Sequence, residues 1–336
     1  MNHVSCIVNP ASILEAKAVG YKAFKSLSSY KKAARVHSVF DRGFYIQIGK
    51  NLISVIKNEN FISPTSIVLG DSDDRGFRSI GVEEGTKIEV DGDSLVFEDK
   101  ALTITFRKSV KWFPPPIPKK NALSDLIKIS LHLRILRDII YTCPSREGLV
   151  SLLENVELYG PTQLFLKPQR PNLSEKARPN IETLMWGLFS GDHNMVLARA
   201  SEILGLGPGL TPSGDDFLAG LILSLAIGGK ALRGNNKSEL GFYRKISADI
   251  DKMAGEKTTI YSQTLLNQAR SGQGPKAVVE LIHALLTKDP NQVARSAKTV
   301  ISMGETSGAD IAIGIYYGIR FLISRLERLE DILELE

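Results

Sequence analysis

The chain has 336 residues, 43% hydrophobic and 24% charged, an ordinary globular composition with room for two or three domains and a sizeable core. Its net charge of +5 is spread as 16 basic against 13 acidic side chains over residues 1–118 and 26 against 24 over residues 119–336, so no basic arm or stripe marks a nucleic-acid partner. Two isolated cysteines, Cys6 and Cys143, exclude a disulfide framework and a structural zinc site and fit a reducing, cytoplasmic setting.

The first residues lack the basic-then-apolar order of a signal peptide, and Ile13 to Leu27 reads as one helix. From about Ala34 to Trp112 apolar residues alternate in short runs, "VFDRGFYIQIGKNLISVI" and "TKIEVDGDSLVFEDKALTITF", broken by Asp-Arg-Gly, Gly-Lys-Asn and Asp-Gly-Asp. That is the pattern of a meander of hairpins. In "KWFPPPIPKK" four prolines in five positions remove donors and fix an extended backbone, which ends the β-rich part. Beyond it, "ALSDLIKISLHLRILRDIIY" and most later segments place apolar residues at helical intervals.

The expected architecture is α+β. A β-rich domain over 1–113, a small antiparallel sheet or barrel with an N-terminal helix, is followed by a linker over 114–120 and a mainly α-helical domain over 121–336. The stretch "GPTQLFLKPQRPNLSEKARPN" reads as a loop within the helical domain, a solvated connector or a lid. The longest apolar run, Phe217 to Gly229, is shorter than the roughly 20 residues that span a bilayer, so no membrane is expected.

The densest signal is "GLGPGLTPSGDDFLAGLILSLAIGG", Gly205 to Gly229. Gly209 and Gly214 have Walker spacing, but Asp215 stands where the phosphate-binding lysine belongs; the preceding "NMVLARASEILG" is helical, which excludes a dinucleotide turn. A helix, a glycine-rich turn and a second helix remain. Ser213-x-x-Asp216 is a capping-box pattern at the start of that helix, which leaves Asp215 without a structural role.

"SGDDFLAG" at 213 to 220 is matched by "SGADIAIG" at 307 to 314, each close behind a threonine, Thr211 or Thr306. Two such helix starts facing one cleft would aim amides at one anion, from Gly207, Gly209, Thr211, Ser213 and Gly214 on one side and Thr306, Ser307 and Gly308 on the other. The carboxylates of Asp215, Asp216 and Asp310 would repel a bare anion, so the expected ligand is mixed. Either an NH2 group donates to them, or two of them hold Mg2+. Between the motifs, Thr258, Thr259 and Ser262 lie near another helix start and supply hydroxyls to the cleft or cap that helix. The five histidines show no zinc-hydrolase or triad spacing.

"GLGPGLTPSGDDFLAG", "TTIYSQTLLNQARSG" and "GETSGADIAIG" together resemble the family that includes AllH, a subunit of oxamate carbamoyltransferase, over Gly191 to Gly318. The departures are Ala309, where the family pattern suggests a bulky residue such as tryptophan, and Glu305, where it suggests histidine. The resemblance implies purine or allantoin nitrogen catabolism, in which oxalurate and phosphate give oxamate and carbamoyl phosphate. It also implies an FdrA-like protein and a third subunit as partners; Asp215, Asp216 and Asp310 are the expected catalytic residues. The rival readings are a non-catalytic subunit that binds a metabolite or supports assembly, and a free-standing Mg2+-dependent hydrolase.

Overall fold

The computed structural model describes residues 12–29, 34–70, 76–98, 102–119, 124–145, 147–153, 172–234 and 236–333. The chain divides into two compact units, Met1–Pro114 and Pro115–Glu336.

The first unit is β-rich. Its strands are β1 (Ser12–Gly20), β2 (Ala34–Phe40), β3 (Gly43–Ile48), β4 (Asn51–Ile56), β5 (Ser66–Leu69), β6 (Lys87–Asp91), β7 (Ser94–Phe97), β8 (Leu102–Thr105) and β9 (Val110–Trp112). Alternating burial along β3 and β7 turns one face of each strand into the core, as the period-two pattern predicts. Ile48 faces Asn51 and Asp91 faces Ser94, so both β3–β4 and β6–β7 close through two-residue turns. The order β5-β4-β3-β2-β6-β7-β8-β1 returns on itself through a β1–β5 pairing, which closes a barrel. Phe44 packs edge-on against Phe77 and Phe97 at its centre, ring centroids 5.0 and 6.1 Å apart.

The single helix expected from Ile13 to Leu27 is instead β1 followed by α1 (Tyr21–Ser29). Residues of β1 pair in parallel with β8, Leu14 opposite Ile104, and with β9, while Val19 pairs antiparallel with Ile67 of β5. These ladders to distant segments override the local helical preference.

The second unit is helical: α2 (Leu126–Tyr141), α3 (Leu173–Ser190), α4 (His193–Ile203), α5 (Ser213–Arg233), α6 (Lys237–Lys257), α7 (Ile260–Ala269), α8 (Lys276–Thr287), α9 (Pro290–Ile301) and α10 (Ser307–Leu333). Side chains of Asp125, Asn172, Asp192, Asn236, Thr259 and Asp289 cap the helices that follow them. Asn172 opens α3, so the last third of the expected loop at 160 to 180 is helix; residues 154–171 lie outside the described residues. Among the described residues no helix is long and apolar enough to cross a membrane.

The core of this unit is the pair α5 and α10, each buried on all sides along its first half. Glycines let their backbones touch. A Cβ on Gly220 would stand 2.1 Å from the carbonyl oxygen of Ile311, and one on Gly314 would stand 2.1 Å from that of Phe217. The two contacts are reciprocal, and they fix the crossing point of the helices one turn beyond Asp216 and Asp310.

Candidate functional site

The two matched motifs meet, and they meet as a local two-fold. Gly214 lies against the carbonyl of Ile203 at the end of α4, and Gly308 lies against the carbonyl of Val300 near the end of α9, each so close that a Cβ would be about 2 Å from the oxygen. Gly220 and Gly314 then bring the helices together. Across the gap the Thr211 and Ser307 hydroxyls are 3.0 Å apart. Asp215, Asp216 and Asp310 all have zero exposure, as does Ser262, and Ser213 is buried at 3%.

The turn before α5 is built by glycine. Gly205, Gly207 and Gly209 have φ of 76°, 117° and 96°, a region that L side chains rarely adopt. The Asp215 carboxylate ties this turn down. One oxygen accepts from the Gly205 amide at 2.8 Å and the other from the Thr258 hydroxyl at the end of α6. Burial pushes the Asp215 carboxyl up, against the hydrogen bonds from Thr258 and Gly205 and the nearby Ser262 hydroxyl, which favour its ionised form.

This reverses the expected roles of the two adjacent aspartates. The helix is preceded by Pro212 at the N-cap position with no side-chain cap, so Ser213 and Asp216 do not form a capping box. The amide of Gly214 bonds to Leu206 O, and those of Asp215 and Asp216 bond to Pro212 O. On α10 the amides of Gly308 and Asp310 bond to Met303 O and Thr306 O. The expected anion cradle of free helix amides is therefore largely spent inside the protein. Asp215, expected to be free for a ligand, is the structural latch. Replacing it with alanine strands the Gly205 amide and the Thr258 hydroxyl, and is expected to cost about 1–3 kcal/mol in chemical denaturation. Asp215→Asn keeps one acceptor and loses less. A D215A chain as stable as the parent would show that the latch does not hold the turn.

Asp216 carries the unexplained chemistry. Neither of its carboxylate oxygens has a hydrogen-bond partner, and one oxygen of Asp310 is also unpartnered. Burial pushes the Asp216 carboxyl well up, reinforced by the charges of Asp310 and Asp215; the hydroxyls of Ser307 and Thr211 lie near enough to favour its ionised form without being aligned for a hydrogen bond. Asp310 mirrors it. Burial raises its carboxyl to about 6, against the Ser213 hydroxyl, the Leu149 amide and the Thr306 hydroxyl. The Leu149 amide donates to the Asp310 carboxylate at 2.7 Å, and Gly148 lies so close that a Cβ would be 2.5 Å from the same oxygen. Each aspartate is thus flanked by the serine of the other motif.

A carboxyl raised from 3.8 in the unfolded chain to about 6 binds its proton more tightly when folded. Stability is present in full at low pH and falls as pH rises from about 4 to 6, by roughly 3 kcal/mol for Asp310 alone. In Asp310→Asn, which still accepts from Leu149, the decline over that window is expected to flatten by about that amount in urea titrations. Superimposable pH profiles for parent and variant would refute the shift.

Of the expected site residues, Thr211, Ser213, Asp216, Thr306, Ser307 and Asp310 come together around the two carboxyls. Gly207, Gly214 and Gly308 shape the surrounding backbone. Gly209 stands in the open, where a Cβ would meet nothing. Thr259 is spent as the cap of α7, accepting from the Ser262 amide and donating to Leu210 O. The Ser262 hydroxyl lies beside Asp215 and has no hydrogen-bond partner. Sequence reading missed Gly148 and Leu149, which no local motif marks. Among the described residues no three His, Cys, Asp or Glu side chains gather into a group able to hold a metal ion. Mg2+ held by the aspartates would thus lack a third acidic or imidazole ligand.

Residues 203–319 match the family model described as oxamate carbamoyltransferase subunit AllH, and residues 15–111 match that of the AllH family N-terminal domain. No solved structure matches the chain.

Proposed function

We propose, from the premise that this chain belongs to the AllH family of oxamate carbamoyltransferase subunits, that its Asp216–Asp310 pair receives the carbamoyl donor of a multi-subunit enzyme. The observation that carries the reading is the unpartnered, fully buried Asp216 carboxyl. A carbamoyl NH2 brings two donors, which is what that group lacks.

The raised carboxyls suit the transfer itself. With oxalurate and phosphate as substrates, a phosphate oxygen attacks the carbamoyl carbon and the bond from that carbon to the oxamate nitrogen breaks. The departing nitrogen needs a proton, and the hydrogen phosphate loses one. A carboxyl pair that holds a proton near neutral pH supplies the first and recovers the second, with no net change in the protein. Developing charge on the carbamoyl oxygen falls among the hydroxyls of Thr211 and Ser307, 3.0 Å apart. Both carboxyls are buried, so substrate reaches them only when the structure around them opens. The partners in this reading are an FdrA-like protein and a third subunit, and the setting is purine or allantoin nitrogen catabolism in the cytoplasm.

The complete burial of the carboxyls is also what favours the second reading, a non-catalytic subunit that retains a metabolite or supports assembly. Reconstitution separates the two. Phosphate-dependent conversion of oxalurate should require this chain together with its partners, and its Km for oxalurate should change when this chain carries substitutions at the pair. Full activity of the partners without this chain would end the catalytic reading.

A further inference from the structure

Lys230, Arg244 and Arg270 come from three helices and line one pocket, walled also by Leu225, Leu240 and Tyr243. Lys230 stands in the last turn of α5, Arg244 lies in the middle of α6, and Arg270 follows the end of α7. The pocket offers about 90 Å³ to water-sized molecules, several times the roughly 10–15 Å³ that one water needs on that measure. Arg270 is anchored to Asp251, Nη1 to Oδ2 2.7 Å. Among the described residues neither Lys230 nor Arg244 has an ion-pair partner.

Helix ends account for part of this charge. The carbonyl ends of α5 and α7 each carry about half a negative charge, which Lys230 and Arg270 complement. Asp251 offsets one more unit. Arg244 lies in mid-helix, where no dipole calls for it, and it leaves the pocket with an excess of about one positive charge. An apolar wall beside that excess separates the pocket from an ordinary solvated face.

We propose that this pocket binds a compact oxyanion, a carboxylate or a phosphate, held by Arg244 and Lys230 with its uncharged side on Leu225, Leu240 and Tyr243. The planar fork of Arg244 matches the geometry of either group. Leu225 to Lys230 lie nine to fourteen residues beyond Asp216 on the same helix, roughly 14–21 Å along its axis, so the pocket is separate from the carboxyl pair. The inference does not rest on the function proposed above.

Calorimetric titration of the full chain with inorganic phosphate and with oxamate tests it, with neutral oxamide as control. One of the two anions should bind saturably with a Kd at or below about 1 mM and in a way that depends on Arg244, and whichever does so identifies the group; the response to oxamide should be the same in the parent and in Arg244→Gln. Arg244→Gln and Lys230→Gln, both at exposed positions, should each weaken binding at least tenfold with the melting temperature unchanged. Arg244→Lys should recover part of it. No saturable binding of either anion would overturn the proposal. So would binding that survives both Arg244→Gln and Lys230→Gln, because the anion would then occupy another site. Loss of subunit assembly in Arg244→Gln with no anion binding would assign the surface to an acidic segment of a partner, and that outcome too would overturn it.

Discussion

Asp216→Asn is expected to reduce carbamoyl transfer by the reconstituted enzyme at least 100-fold, within the range that a positioned proton donor contributes, while the chain melts at the same temperature or higher between pH 7 and 8. The substitution keeps size and shape, and Asp216 has no internal hydrogen bond to lose. What disappears is the proton and the charge that burial makes costly. A structural role predicts the opposite pattern, a stability loss with activity falling only as far as the folded fraction does. Rate measurements across pH sharpen the test: the parent should lose activity as pH rises past the point where the raised Asp216 carboxyl gives up its proton, and the variant should show no such limb. Unchanged turnover in an enzyme shown to be assembled would remove Asp216 from the chemistry.

The largest loss of stability is expected from Gly220→Ala and from Gly314→Ala. An added methyl would stand 2.1 Å from a backbone carbonyl oxygen of the facing helix in each case. Backbone of a buried helix pair cannot step aside as a side chain does, so the helices must separate. Overpacking of cores usually costs about 1–3 kcal/mol, and a clash with main chain belongs at or above the top of that range. For a unit of this size about 3 kcal/mol corresponds to a fall of roughly 6–12 °C in melting temperature. Gly228→Ala is the internal control on the same helix. Its methyl would meet only the side-chain tips of Leu322 and Ile319, at 2.8 and 3.0 Å, and rotamer adjustment should hold the cost to about 1 kcal/mol. Equal losses at Gly220 and Gly228 would show that the close backbone approach is not what holds the pair.

The parts of this molecule that could be read from its sequence are those set by local periodicity. Alternation over residues 34–112 announced the barrel strands, and the change of period beyond the prolines announced the helices. The repeated Ser-Gly-x-Asp-x-x-x-Gly pattern announced the meeting of α5 and α10, because its last glycine is useful only where another backbone approaches. β1 was hidden because its partners, β5, β8 and β9, lie some 50 to 90 residues away. The roles of Asp215 and Asp216 were exchanged by a single step in register. With Ser213 as cap, Asp216 would be the third helical residue; with Pro212 in that place it is Asp215, and one residue turns a side chain by about 100° around the axis. The amide of Leu149, 161 positions from its partner Asp310, leaves no trace in local pattern.

That amide settles a question that the two-fold arrangement leaves open. Two acids in mirrored surroundings, each beside the other's serine, would hold their protons equally tightly, and the centre would have no direction. Among the described residues a backbone N–H, that of Leu149, donates to Asp310 and none donates to Asp216, and a donor of this kind favours the ionised form. The tie is broken on both sides: the Leu149 amide favours ionised Asp310, whose carboxyl stands at about 6, while the charge of Asp215, which the second motif replaces with Ala309, adds to the burial that raises Asp216. In the proposed mechanism the short segment at 147–153, whose Leu149 amide donates to Asp310, thus helps to make Asp310 the member of the pair that ionises first.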